Sequence, residues 1–287
     1  MTLALAAYRS SIHLDEPFVR SAPTAAIDAR VAELVAMLRR ERPQLTPGRA
    51  DPRGQLRELL TTRPAWPLPV ELDRALGEVL AAERRELIEA RELEPVRSSN
   101  WTSAASLFLV RADITRLRVD AIVNAANDRL LGCFRPFHPC IDNAIHSAAG
   151  PRLREDCNTI MRAQGTLEPT GTAKITRAYE LPSDFVLHTV GPIVPSGRVL
   201  PEHERELAAA YTSCLELAAE VERIRSIAFC AISTGVFGYP VGLAAALAVA
   251  TVDRWLTKHP GAFDRIVFDV FSASDLEAYA RVLGERP

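Results

Sequence analysis

Apolar residues recur every three or four positions through the first third of the chain. In "TAAIDARVAELVAMLRRERP", Ile27, Val31, Leu34, Val35 and Leu38 fall on one helical face. Thr24 or Asp28 serves the first turn, and Pro43 stops the helix. "DPRGQLRELLTTRPAWPLP" predicts a short helix closed by a proline-rich connector. "PVELDRALGEVLAAERRELIEA" repeats the helical spacing with Leu72, Leu76, Val79 and Leu80, and Pro69 sits near its start.

The pattern changes after "PVRSSNWTSA". Short β-branched runs follow, each ending in polar residues: "ASLFLVRADIT", "DAIVNAAN", "TAKITRAY", "DFVLHTVG", "SIAFCAIS" and "RIVFDVF". Between them lie the helical patterns "CIDNAIHSAAGPRLREDCNTIMRAQ", "ERELAAAYTSCLELAAEVE" and "PVGLAAALAVATVDRWLTKHP". Strands alternating with helices predict an α/β fold, a mixed but largely parallel sheet with helices on both faces, preceded by an α-helical N-terminal region. The boundary falls near residues 95 to 101. It is drawn between an N-terminal extension of residues 1–97 and a main domain of residues 98–287.

The 287 residues are 48% hydrophobic and 24% charged, enough apolar content for a substantial core. Net charge is −2, so no global basic field recruits nucleic acid, and none is expected as a partner. Five cysteines is an odd number, and Cys157, Cys214 and Cys230 read as buried small apolar residues. This suggests a reducing compartment. No apolar run reaches about 18 residues, and the start has no basic n-region, so the expectation is a cytoplasmic protein with no membrane span.

In parallel sheets ligands sit at the carboxyl ends of the strands. Polar residues collect there. Asp113 follows one strand and could accept from an exocyclic amine or cap the next turn. Asn124 and Asn127 follow another, and their amides suit sugar hydroxyls or a plain turn. "STGVFGYP" follows a third, with Ser233, Thr234, Gly235, Val236, Phe237 and Gly238 ahead of a helix. Such a loop can aim backbone N–H groups at phosphate, or be an ordinary strand-to-helix connection. Neither a GxGxxG nor a GxxxxGK[ST] pattern occurs.

One stretch offers different chemistry. In "LGCFRPFHPC", Cys133, His138 and Cys140 lie within eight residues. Cys thiolate and His nitrogen are zinc ligands, and three of them leave a fourth position open, the layout of a catalytic zinc. The alternative is two packed cysteines and a loop histidine. Asp142 follows at a helix start, as a cap or as a base. His146 reads as a core-facing histidine or a further ligand, and His188 as a satisfied core histidine.

Taken in order, "RADITRLRVDAIVNAAND", "CIDNAIHSAAGPRL", "PTGTAKIT", "VLHTVGP" and "AISTGVFGYP" resemble a macrodomain, the ADP-ribose-binding module, over about residues 105 to 275. "GCFRPFHPC" replaces the glycine run of most catalytic members. With its helical leader it resembles the zinc-containing microbial macrodomains that act as protein-ADP-ribose hydrolases. The resemblance implies one zinc ion held by Cys133, His138 and Cys140 at the scissile end. It implies catalytic roles for Asn127 and Asp142 beside the distal ribose, with Asn124 supporting the loop. It places the adenine amine on Asp113, with the Ile114 backbone beside it and Phe271 packing on the ring. Ser233 to Gly238 would wrap the diphosphate, with Phe237 near the distal ribose. Ala112 departs from the family, where glycine often precedes the Asp-Ile pair.

The expected function is zinc-dependent removal of mono-ADP-ribose from modified protein side chains, the partners being ADP-ribose and a mono-ADP-ribosylated protein. Two other functions stay open: an ADP-ribose reader without turnover, and a hydrolase of O-acetyl-ADP-ribose. Residues 1 to about 95 either pack on the main domain or dock a partner.

Overall fold

After a turn-rich first segment come three helices: α1 (Ile27–Glu41), α2 (Pro52–Thr61) and α3 (Val70–Glu83). The computed structural model describes residues 2–84, 86–97 and 100–284. The expected boundary falls beside residues 98 and 99, outside the described residues. The predicted faces are buried: Val31, Leu34, Val35 and Leu38 of α1 pack with Leu56 and Leu59 of α2 and with Leu72, Leu76 and Val79 of α3. Asp51 caps α2 by accepting from the Gly54 amide at 2.6 Å, and Pro52 occupies a first-turn position where no N–H is needed.

The first segment departs from the sequence reading. Leu5, Tyr8, Ile12 and Leu14 are buried in the main core rather than in the helical extension. The Tyr8 hydroxyl accepts from the Ile175 amide at 3.1 Å, which ties this turn-rich segment to the sheet.

The rest alternates: β1 (Ile88–Glu89), β2 (Leu107–Arg111), β3 (Leu117–Arg118), β4 (Ala121–Ala125), α4 (Ile141–Ala149), α5 (Pro151–Gln164), β5 (Ala173–Arg177), β6 (Phe185–Thr189), α6 (Pro201–Ala219), β7 (Ser226–Phe229), α7 (Val241–Lys258), β8 (Arg265–Val270) and α8 (Ala273–Leu283). Six strands form the main sheet in the order β2-β8-β7-β4-β6-β5, and β1 pairs with β3 separately. All main-sheet pairs are parallel except β5 against β6. β6, flanked by β4 and the antiparallel edge strand β5, is buried along its whole length, as an inner strand covered on both faces must be. α6, α7 and α8 pack side by side, while α4 packs on β4 and α5 on β5.

The single helical pattern read from residue 140 to 164 is two helices. Gly150 takes φ +87 and Pro151 starts α5 without an N–H to donate, so the chain turns between them. α8 was absent from the sequence reading. Ser272 and Asp275 form a reciprocal cap at its start.

Connections leave β4 toward β6 on one side and β7 toward β8 on the other, so the order reverses between β4 and β7. A crevice opens at such a reversal, outside the strand carboxyl ends.

Candidate functional site

The strand order sets the site's layout. Asp113 follows β2, Phe271 follows β8, Ser233 to Gly238 follow β7, and Asn124 and Asn127 lie at the end of β4. Three strand spacings of about 4.8 Å spread these groups over roughly 14 Å of one sheet edge.

At the β4 end two amides and a carboxylate meet. Asp142 sits in the first turn of α4, whose N-terminal end favours a negative charge. Its Oδ1 accepts from Asn124 Nδ2 at 2.8 Å, and its Oδ2 from Asn127 Nδ2 at 3.2 Å. Burial pushes the Asp142 carboxyl up to about 6, against the two amide bonds and the charge of Arg154, which lower it. Asn127 is half-buried, whereas Asp142 lies behind it at 5% exposure. Asn127 Nδ2 also reaches the Gly132 carbonyl at 3.2 Å. One side chain therefore joins the α4 carboxylate to the residue before Cys133.

Cys133, His138 and Cys140 come together, their ligand atoms within 4.8 Å of one another. The donor set of two sulfurs and one nitrogen suits a borderline-soft divalent ion such as zinc. His138 Nδ1 is buried with no hydrogen-bond partner, consistent with a lone pair reserved for a ligand. Burial lifts the Cys140 thiol to about 11, so a cation is needed to hold it as thiolate at neutral pH. Cys140 Sγ also accepts from the Asn143 amide at 3.4 Å, capping α4. The residues fit a metal. The loop is built from unusual backbone: Leu130, Gly132 and Phe137 all have positive φ.

The loop after β7 presents unused donors. The amides of Thr234, Gly238 and Tyr239 bond within the loop or its strand end. Among the described residues, those of Gly235, Val236 and Phe237 donate to no protein acceptor, which leaves three N–H groups for an anion. Ser233 has φ +67 and rests on Gly191, where an added Cβ would stand 2.1 Å from Ser233 Oγ.

At the other end, Asp113 caps the next turn. Its Oδ1 accepts from the Thr115 amide at 3.1 Å and the Thr115 hydroxyl at 2.6 Å, leaving Oδ2 for a ligand amine. Ile114 is buried beside it, and Phe271 is 82% exposed. Ala112 is not among the positive-φ residues, so it needs no glycine there.

The Macro domain family model matches residues 123–248. A protein-ADP-ribose hydrolase of Treponema medium is 47% identical over 233 residues, covering 79% of this chain and 86% of that protein. The chain belongs to the macrodomain family. A protein-ADP-ribose hydrolase of Staphylococcus aureus is 40% identical over 257 residues, covering 88% of this chain and 94% of its own. The crystal structure of a Trypanosoma brucei macrodomain in complex with ADP-ribose is similar at TM-score 0.61 and 29% identity, covering 93% of this chain and all of that one.

Several residues of this macrodomain's site had no role in the sequence reading. Arg154 donates to the carbonyls of Leu131 at 2.7 Å and Leu60 at 3.2 Å, and to that of Arg63. Arg57 Nη2 reaches Asn143 Oδ1 at 3.3 Å, so α2 touches the first turn of α4. Arg49 and Arg57 lie over the Phe137 ring, 4.5 and 5.6 Å from its centroid. His146, read as core or ligand, is buried with both ring nitrogens unpartnered; Nε2 lies 3.5 Å from Asp142 Oδ1. Together with Cys157 and His188 it forms a second buried Cys/His group. Among the described residues no helix is long and apolar enough to cross a membrane.

Proposed function

We propose that this macrodomain removes mono-ADP-ribose from modified protein side chains, using a zinc ion held by Cys133, His138 and Cys140. The observation that carries the reading is the Asn127 bridge, which couples the Asp142 carboxylate to the metal loop through Gly132. The relatives named as protein-ADP-ribose hydrolases support the reaction class. The Cys/Cys/His donor set supports the metal.

Adenine sits against Phe271 with its amine on Asp113 Oδ2. The diphosphate takes the free amides of Gly235, Val236 and Phe237. The distal ribose then reaches Asn127, whose Oδ1 accepts from the Arg129 amide at 3.0 Å and keeps a lone pair for a sugar hydroxyl. Asp142 holds the Asn127 amide in register. With its carboxyl near 6 it is ionised at neutral pH and can take a proton at Oδ2. A zinc ion, when bound, supplies Lewis acidity at the scissile end. The helices α1, α2 and α3 form the extension, and α2 backs the metal loop, a wall of the site rather than a separate docking module.

Incubation with a mono-ADP-ribosylated protein tests this. The hydrolase frees ADP-ribose; a reader leaves the modification in place. Faster turnover of O-acetyl-ADP-ribose than of modified protein would move the substrate to the free metabolite.

A further inference from the structure

The Asn124 amide has two acceptors on one nitrogen. Asn124 Nδ2 lies 2.8 Å from Asp142 Oδ1 and 3.2 Å from His188 Nδ1, while its Oδ1 is buried without a partner. Asn124 and His188 are register partners on β4 and β6, and both are fully buried. Turning the amide over would set two oxygens facing each other across 2.8 Å with no hydrogen between them, an arrangement no neighbouring donor rescues. The nitrogen therefore faces both groups, and each of its two hydrogens has an acceptor. This requires a lone pair on His188 Nδ1.

We infer that His188 is a positioning residue for the proposed hydrolysis: its unprotonated Nδ1 holds the Asn124 amide so that the second N–H fixes Asp142. The inference rests on the proposed function for its readout, though not for its geometry. The proton of the neutral ring sits on Nε2 and points at Thr176 Oγ1, 3.0 Å away, with Cys157 Sγ at 3.7 Å. Burial alone keeps the ring neutral, pushing its pKa down to about 3. The same tautomer rules out His188 as a metal ligand in the second Cys/His group, because the nitrogen facing Cys157 has no free lone pair. A chain of buried contacts thus runs from Thr176 on β5 through His188 and Asn124 to Asp142. Without the acceptor at Nδ1, one Asn124 hydrogen is buried unpaired, and the amide turns to relieve it. Asp142 then loses one of the two bonds that orient it.

Two substitutions separate this from simple core packing. In His188→Asn the side-chain oxygen takes the place of Nδ1. In His188→Gln the terminal amide takes the place of Nε2 and fills more of the ring's volume. The expected result is that His188→Asn keeps kcat within about threefold of wild type, while His188→Gln loses about 10–100-fold, as losses of orienting partners typically do. KM and ADP-ribose affinity should change less than about twofold in both, since neither ligand contact is touched. A packing role predicts the opposite order, and that order, or equal kcat values, overturns the inference. Nitrogen-15 NMR of the wild-type His188 ring gives a second readout that needs no variant to fold. The Nε2–H tautomer is expected, and Nδ1–H would overturn the assignment. A wild type that folds and shows the expected tautomer but frees no ADP-ribose sinks the proposed function and leaves this geometry standing.

Discussion

Arg154 Nε donates to the Leu131 carbonyl at 2.7 Å, fastening α5 to the residue ahead of Gly132 and the Cys/His loop. The same guanidinium reaches the carbonyls of Leu60 and Arg63 at the end of α2 and lies 4.4 Å from the Phe134 ring centroid. Burial lowers its pKa to about 10, so it remains charged at neutral pH. One buried cation therefore joins the N-terminal helices, α5 and the loop.

Arg154→Ala should destabilise the protein by about 2–4 kcal/mol, because the Leu131 and Arg63 carbonyls lose their donor, while the Leu60 carbonyl keeps the Arg63 amide at 3.2 Å. Urea unfolding measures this. Arg154→Lys should recover less than half, since one ammonium cannot reproduce a planar fork aimed at three oxygens. Full recovery by lysine would show that charge, not geometry, is what this position needs.

Gly132→Ala should weaken metal binding by about tenfold or more, as displaced ligand support commonly does. Gly132 has φ +80, and an added Cβ would stand 2.8 Å from Cγ of the buried His146 ring. The loop must shift, and Cys133 shifts with it. Competitive chelator titration reads the affinity; an unchanged value would mean the ring moves instead.

The sheet was legible in the sequence because buried parallel strands leave continuous apolar runs, and β4, β6 and β8 are such runs. The Cys/His loop was legible because its three donors lie within eight residues. α8 carried a readable signal in the Ser272–Asp275 cap that follows directly on β8. The place of Leu5, Tyr8, Ile12 and Leu14 in the main core was not legible, because the three-and-four spacing of the first three reads as one more helix of the extension, whereas the segment folds as a short 3-10 turn at Leu5–Ala7 and further turns. Arg154 read as one more charge on a helix; its acceptors lie 23, 94 and 91 residues away in sequence. The link from Asn124 to His188 spans 64 residues, and only the strand order brings them into register.

Asp269 should make stability fall as pH rises. Burial first, and the nearby Asp113 charge second, push its carboxyl from 3.8 up to about 8. Below about pH 4 the acid is neutral in both folded and unfolded chains and costs nothing. Between 4 and 8 the unfolded chain ionises while the folded one resists, so stability is lost progressively as pH rises. Asp269→Asn keeps a neutral side chain of the same shape. Its unfolding free energy, read by urea titration, should match wild type below pH 4 and exceed it above pH 8, by an amount on the order of a few kcal/mol at about 1.4 kcal/mol per pH unit. A constant difference across that range would contradict the assignment.

Asp113→Asn should separate binding from turnover. The amide oxygen can still accept from the Thr115 amide, but an NH2 group replaces the oxygen left for the ligand amine. ADP-ribose affinity should drop about tenfold, the worth of one charge-assisted hydrogen bond. At saturating substrate kcat should stay near wild type, because the proposed reacting end lies at Asn127 and Asp142, on the other side of the sheet edge from Asp113. Calorimetry and steady-state kinetics on the same preparation check both halves.

The most direct test measures metal content and ADP-ribose release together, on wild type and on Cys133→Ser. The wild type should carry one zinc per chain and free ADP-ribose from a modified protein. Cys133→Ser should lose metal and release together while still binding ADP-ribose. Release by a folded variant shown to hold no metal, or a metal-free wild type that turns over, would contradict the account.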